Sequence, residues 1–182
     1  MGAYVSRGEI PDLLIYGSYP DIVMQPTHDK KHLALRELCG SYVYQDILNL
    51  DGIRHAGKID NLLRLLAFQV GSQVSQLELS RSLSMSKDTV GKYITILEKA
   101  FIVFRLRGFS RNLRNEVTKQ DKIYFHDTGI RNGIIENLNL PDRRDDMGRL
   151  WENFIISERL KTGFGDYIQV RRSTISKRAG VF

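Results

Sequence analysis

The spacing of apolar positions changes along this chain, and each change marks an element. From Leu13 to Met24 the run LLIYGSYPDIVM is apolar apart from a Gly-Ser-Tyr-Pro interruption that suits a turn between two short elements. Leu33, Leu35, Leu38, Val43, Ile47 and Leu48 then recur at spacings that read as one or two helices between Lys30 and Asn49, with Gly40 as a break or a tolerated weak point. Asp60 is placed to cap NLLRLLAFQV, and Gly71 falls just past its end. Ser75 and Glu78 have the spacing of a capping box, which opens a second helix running to about Leu83. Ser86 opens a third, through Lys99, in which Val90, Ile94 and Leu97 define one buried face.

Past Lys99 the period shortens. FIVFRLRGF and KIYFH are rich in β-branched and aromatic residues and read as strands. Three helices followed by two strands with a basic loop between them is the order of a winged helix. Asp127 then caps a helix beginning near Thr128, where Gly129 eases the turn. A charged loop, PDRRDD, leads into the helix GRLWENFIISERLK, whose expected buried stripe is Leu150, Phe154, Ile155 and Leu160. DYIQV reads as a strand before a basic tail. The fold class expected is mainly α with a small β component (α+β), a winged-helix or helix-turn-helix core flanked by helices.

Composition narrows the setting. The 182 residues are 42% hydrophobic and 26% charged, as in ordinary globular domains, and no apolar run approaches the length of a membrane span. The start lacks the apolar core of a signal peptide. The single Cys39 excludes an internal disulfide and a multi-cysteine zinc site, so the expected setting is reduced and cytoplasmic, with no membrane partner. The net charge of +6 is concentrated in two places. Arg105, Arg107, Arg111, Arg114, Lys119 and Lys122 face only Glu116 and Asp121 in one segment, and Arg171, Arg172, Lys177 and Arg178 stand without an acid near the end. Attraction to polyanions is focused there.

YGSYPDIV, YVYQDIL, LSMSKDTVGKYITILEKAFIV, KIYFHDTGI and GRLWENFIISERL, in that order, resemble the domain of unknown function that follows the nucleotide-binding module of many bacterial and archaeal AAA-type ATPases. The resemblance covers residues 13 to 165. It implies a parent protein with an upstream ATPase module, a winged-helix region and a C-terminal part similar to restriction-endonuclease folds. Three regions are expected from it: residues 1–59 as a helical segment from the ATPase linker, 60–137 as the winged helix, and 138–182 as a C-terminal helix with an incomplete nuclease-like segment. The ATPase module is missing here, and VRRSTISKRAGVF stands where the family continues into an acidic strand. A C-terminal fragment with a truncated or frameshifted end is therefore expected. Apolar surface at its N-terminal end would favour homo-oligomers.

Candidate chemistry is sparse. Gly52 to Lys58 fits G-x-x-x-x-G-K, but Ile59 supplies no hydroxyl for magnesium and no buried strand precedes it, so a loop is the better account. No cofactor is expected in this chain; ATP and magnesium are implied for the parent alone. His28 and His32 have zinc-helix spacing without the intervening glutamate and read as surface residues. Glu152 matches, by resemblance, the helix glutamate ahead of a nuclease-like core, yet the acidic strand that would complete a metal site is absent; the residue also reads as structural.

Nucleic acid is the best-supported partner class. The outward face of the third helix should present Lys87, Asp88, Gly91, Lys92, Thr95 and Lys99, with no Arg, Asn or Gln from Ser86 to Lys99. Those are the side chains that make most bidentate base contacts, whereas lysines reach phosphates and carry no sequence information. The expected contact residues are Lys87, Lys92, Arg107, Arg111, Arg114 and Lys119. The function expected is a non-catalytic module touching nucleic acid through a basic wing. Two alternatives stand beside it: a regulatory module that docks the ATPase or a partner, and the remnant of a metal-dependent nuclease.

Overall fold

A computed structural model of the chain describes residues 10–43, 56–106 and 121–164. In chain order these form α1 (Ile10–Tyr16), α2 (Pro20–Val23) and α3 (His28–Glu37), which runs into a π-helical turn, Leu38–Val43. Next come α4 (Ala56–Phe68), α5 (Gln76–Ser82), α6 (Lys87–Lys99), β1 (Val103–Leu106) and β2 (Lys122–Phe125). After them come α7 (Thr128–Ile134), a 3-10 turn at Pro141–Arg143, and α8 (Met147–Arg159), which continues as Leu160–Phe164. The architecture is mostly helical with one two-stranded antiparallel sheet, the α+β class expected. Among the described residues, no helix is long and apolar enough to cross a membrane.

Three of the expected caps form. Ser75, Ser86 and Asp127 accept from the backbone N–H of Glu78, Thr89 and Ile130 at 3.3, 3.1 and 3.1 Å, which starts α5, α6 and α7. Each satisfies a donor that the first helical turn leaves without a partner, a contribution of about 1 kcal/mol. Asp60 is a correction. The helix begins at Ala56, and Asp60 lies inside it, paired with Arg64 one turn on at 3.4 Å. Ile59 is 1% exposed and packs with Leu62, Leu63 and Leu66, so burial draws the helix ahead of the polar residue. Gly57 and Lys58 of the phosphate-loop lookalike are in this helix, where Lys58 Nζ donates to the Ser84 carbonyl at 2.8 Å.

The strands pair with Val103 opposite Phe125 and Leu106 opposite Lys122. A short third edge joins them: Gln73 bridges Lys122 in antiparallel sense, Gly71 N–H donates to the Ile123 carbonyl, and Val74 N–H donates to that of Asp121. Gly71 sits at φ +74°, a left-handed conformation that glycine adopts without penalty as the chain leaves α4.

One apolar cluster unites Ile15 of α1, Leu35 of α3, Leu62 and Leu66 of α4, Val90 and Leu97 of α6, Phe125 of β2 and Ile130 of α7. Packing therefore runs across position 59/60. The α1–α7 contact is unusually close. Thr128 Oγ1 donates to the Leu13 carbonyl, and Asn132 Nδ2 to those of Leu14 and Ile15, all at 2.9 Å. These carbonyls end α1; that of Leu13 also accepts from Gly17 N–H at 3.0 Å, and Asn132 supplies the other two at the helix end, where intrahelical donors run out.

Helix α8 differs from its expected stripe. Its buried residues are Leu150, Asn153 and Ser157, while Ile155 is 48% exposed and Phe154 and Leu160 are half-buried. Asn153 is inside because its carboxamide serves β2: Oδ1 accepts from Phe125 N–H at 2.8 Å and Nδ2 donates to the Phe125 carbonyl at 3.1 Å. A buried amide so paired is satisfied.

Candidate functional site

Helix α6 buries Val90, Tyr93, Ile94, Ile96 and Leu97 and turns Lys87, Asp88, Lys92, Thr95 and Lys99 to solvent, with Gly91 half-buried. Lys87 and Lys92 make no ion pair among the described residues. The helix is braced from β1. Arg105 N–H donates to Glu98 Oε1 at 3.2 Å, and its guanidinium lies 3.4 Å from Glu98 Oε2 and 3.3 Å from Thr95 Oγ1. The remaining expected contacts, Arg107, Arg111, Arg114 and Lys119, lie outside the described residues, as do DYIQV and the basic tail. Leu106 and Lys122, on either side of residues 107–120 in the sequence, are strand partners.

Glu152 projects from α8 onto β2. Its Oε1 accepts from Tyr124 Oη at 2.6 Å and from Lys122 Nζ at 3.0 Å. Burial raises the Tyr124 phenol, and the hydrogen bond to Glu152 raises it further. That same hydrogen bond lowers Glu152 below the ordinary carboxylate range; desolvation opposes it, and Lys122 adds to the lowering. The result is an ionised carboxylate already matched by an ammonium and a phenol, clamping α8 to the sheet. Among the described residues, no group of three or more His, Cys, Asp or Glu is arranged to hold a metal ion. His28 and His32 are exposed, and His28 instead stands 3.9 Å from Asp12. Cys39 is buried and its thiol is pushed up to about 12, first by burial and then by the charge of Asp127, which leaves it protonated and unreactive.

Two polar clusters escape sequence reading. In the first, Asp127 does more than cap α7. Its Oδ2 accepts from Ser18 N–H at 2.7 Å and Ser18 Oγ at 3.1 Å, and Lys161 Nζ donates to Ser18 Oγ at 2.7 Å and Glu158 Oε1 at 2.7 Å. A Cβ on Gly17 would fall 1.9 Å from Asp127 Oδ1, and Gly17 is at φ +78°. The Gly-Ser turn and the Asp-Thr-Gly cap are thus halves of one joint. Beside it, Tyr19, Pro20, Phe101, His126 and Lys161 line an open cleft of about 280 Å³. Phe101 is 74% exposed at φ +54°, an unusual backbone conformation for a bulky residue. Burial, and then the charge of Lys161, lowers the His126 pKa.

In the second cluster Asp146 accepts from both Arg131 and Arg144. Arg144 contacts it at 2.8 and 2.9 Å and reaches Asn132 Oδ1 at 3.0 Å and the Asn137 carbonyl at 2.6 Å. Arg131 also donates to the Ala67 carbonyl at 2.8 Å. The Arg131 and Arg144 side chains are 1% and 0% exposed. Burial would raise the Asp146 pKa, but hydrogen bonds and charge from Arg144 and Arg131 outweigh it and bring it to about 2. Arg131 fares differently, since for it burial dominates and lowers the pKa despite Asp146. The one signal in the sequence was an arginine in the otherwise uncharged TGIRNGI helix.

Residues 7–142 match the family described as a domain of unknown function, DUF8612, and the chain belongs to that family. It is 25% identical over 156 residues to an uncharacterized protein of Haemophilus influenzae, covering 82% of this chain and 37% of the relative. Over 122 residues it is 30% identical to the uncharacterized protein Rv2008c of Mycobacterium tuberculosis, covering 65% and 27% respectively, and Mb2031c of Mycobacterium bovis matches to the same extent. The chain thus spans 27–37% of the length of these curated relatives. No solved structure matches it.

Proposed function

We propose that this chain is a winged-helix module that contacts nucleic acid with low sequence specificity and serves a longer protein carrying a AAA-type ATPase. The arrangement around β2 carries the reading. β2 pairs with β1 and with Gln73, so the order is helix α4, the Gln73 edge, helices α5 and α6, then the β1–β2 hairpin. That order accords with a winged helix, in which α6 would be the recognition helix and the sequence between β1 and β2 would supply the wing. Arg107, Arg111, Arg114 and Lys119 in this segment are opposed only by Glu116, and α6 adds Lys87 and Lys92. Basic side chains bind phosphates, which set affinity and salt dependence without reading sequence. The far greater length of the relatives accords with a parent that has further modules.

Fluorescence anisotropy with short duplexes of unrelated sequence tests this. Affinity should fall steeply between about 50 and 200 mM salt, each neutralised phosphate contributing about −0.9 to the log–log slope. Arg111→Glu with Arg114→Glu should weaken every duplex alike. Absence of binding at low salt, or binding indifferent to salt, refutes the proposal.

A second reading, docking to the ATPase or another protein, draws on the exposed Phe101 beside the cleft at Tyr19 and His126. A partner there would be displaced by Phe101→Ser while duplex binding stayed unchanged. The remnant-nuclease reading would require Glu152 to exchange Tyr124 and Lys122 for a metal ion; it predicts metal-dependent cleavage lost in Glu152→Ala.

A further inference from the structure

Helix α6 has no Arg, Asn or Gln between Ser86 and Lys99, so its own surface lacks the side chains that most often pair with guanine and adenine edges. The fold brings one of each kind in from neighbouring elements, and both arrive at Gly91. Arg105 comes from β1, and its Nη2 lies 3.5 Å from the Gly91 carbonyl and 3.3 Å from Thr95 Oγ1. The same Nη2 lies 3.4 Å from Glu98 Oε2, and the side chain remains 26% exposed. Gln76 comes from the first turn of α5. A Cβ placed on Gly91 would stand 3.4 Å from its Oε1 and 3.9 Å from its Nε2. Among the described residues, the Gln76 carboxamide makes no hydrogen bond.

Gly91 is itself informative. Glycine inside a helix is less stable than alanine, and packing does not demand it here. A methyl group would meet only the flexible end of Gln76, at ordinary contact distance. Thr95, one turn on, is exposed on the same flank, with Lys92 and Lys99 beside it. The glycine therefore leaves a notch in the outward surface of α6, edged by a guanidinium and an unoccupied carboxamide.

Given the nucleic-acid reading above, we propose that Arg105 and Gln76, gathered at Gly91, form a composite base-reading edge of a duplex-DNA site, Arg105 for a guanine and Gln76 for a nearby adenine. A planar guanidinium matches guanine O6 and N7, and a carboxamide matches adenine N6 and N7. Glu98 and Thr95 keep the side chain at α6 before DNA arrives, which lowers the ordering cost, and guanine exchanges for the long contacts that Nη2 makes with Thr95 and the Gly91 carbonyl. This edge adds a narrow preference to binding that phosphates otherwise dominate.

The test is selection of bound sites from a random duplex pool by the whole chain, followed by affinities for the enriched site and a scrambled one. The pool should converge on a site with a fixed guanine and adenine. Arg105→Lys keeps the charge but loses the fork. It should weaken the enriched duplex about 5- to 150-fold and leave the scrambled one within about two-fold, a split that a merely structural role does not produce. Gln76→Ala should relax the adenine position alone. If no site is enriched although binding is salt-dependent, or if Arg105→Lys weakens both duplexes equally, the composite edge is overturned and the phosphate-binding module stands. If no duplex binds at all, both fall.

Discussion

Replacing Asp146 by asparagine keeps the shape of the Arg131–Arg144 cluster and removes the carboxylate that both guanidiniums share. The two side chains are 1% and 0% exposed, so water does not take over the lost interaction. Removing one partner of a buried ion pair costs about 3–5 kcal/mol, against a total of about 5–15 kcal/mol for a typical domain. The acid limb supplies a second, independent magnitude. Asp146 is held at about 2 from an ordinary 3.8, and its side chain is 16% exposed. A carboxyl lowered on folding contributes stability that is full above its unfolded pKa and lost as pH falls through the folded one. The window therefore runs from about pH 4 down to about pH 2, and the amount is on the order of 2 kcal/mol. Burial of Arg131 offsets part of what the whole cluster gains. Urea unfolding of both proteins, followed by circular dichroism and by the fluorescence of Trp151 at pH 7, pH 4 and about pH 2.5, checks both figures. The gap should be about 3–5 kcal/mol at neutral pH and should narrow by about 1–2 kcal/mol at the acid end. A gap below about 1 kcal/mol at pH 7, or one indifferent to pH, refutes the assigned role.

Asp127→Ala removes the acceptor of Ser18 N–H, Ser18 Oγ and Ile130 N–H together. It should cost about 2–3 kcal/mol and raise amide exchange at Ser18 and Ile130, and unchanged protection there would count against the joint. In Gly129→Ala the new Cβ would fall 2.1 Å from the Tyr16 carbonyl oxygen, a backbone atom that cannot swing aside. A loss of about 2–3 kcal/mol in thermal or chemical unfolding is expected, and a neutral result would mean that α1 and α7 do not touch this closely. Tyr124→Phe should cost about 1 kcal/mol at neutral pH and return Glu152 toward the ordinary carboxylate range. Because the folded carboxyl is lowered, its contribution disappears as pH falls. Wild type and variant should therefore converge in acid, which carboxyl titration by NMR and unfolding at two pH values would show.

Local chemistry was legible, and distant pairing was not. Ser75, Ser86 and Asp127 act on backbone groups three residues away, so their caps could be read from spacing alone. Val90, Ile94 and Leu97 were legible for the same reason, since helical period and burial coincide. Asp60 failed because a polar residue competes locally with a core that wants Ile59, and the core prevails. On α8 the apolar period pointed to Ile155, whereas Asn153 occupies the interior through the backbone of Phe125, 28 residues away in sequence. The charged loop PDRRDD hid two engaged side chains, Arg144 and Asp146, which pair with each other and each reach a residue of α7. The expected reading face of α6 was complete as a list of its own residues. Arg105 and Gln76 belong to other elements and reach Gly91 only once the sheet and α5 have packed.

The joint between the Gly-Ser turn and Asp127 links residues separated by 109 positions. During synthesis, α1 leaves the ribosome long before Asp127, Thr128 and Asn132 exist to receive its carbonyls. For some seconds at ordinary elongation rates, Leu14 and Ile15 lack the α7 surface that completes their cover. The final seating of α1 against α7 therefore waits on residues made more than a hundred positions later, a long-range closure that local sequence cannot hasten.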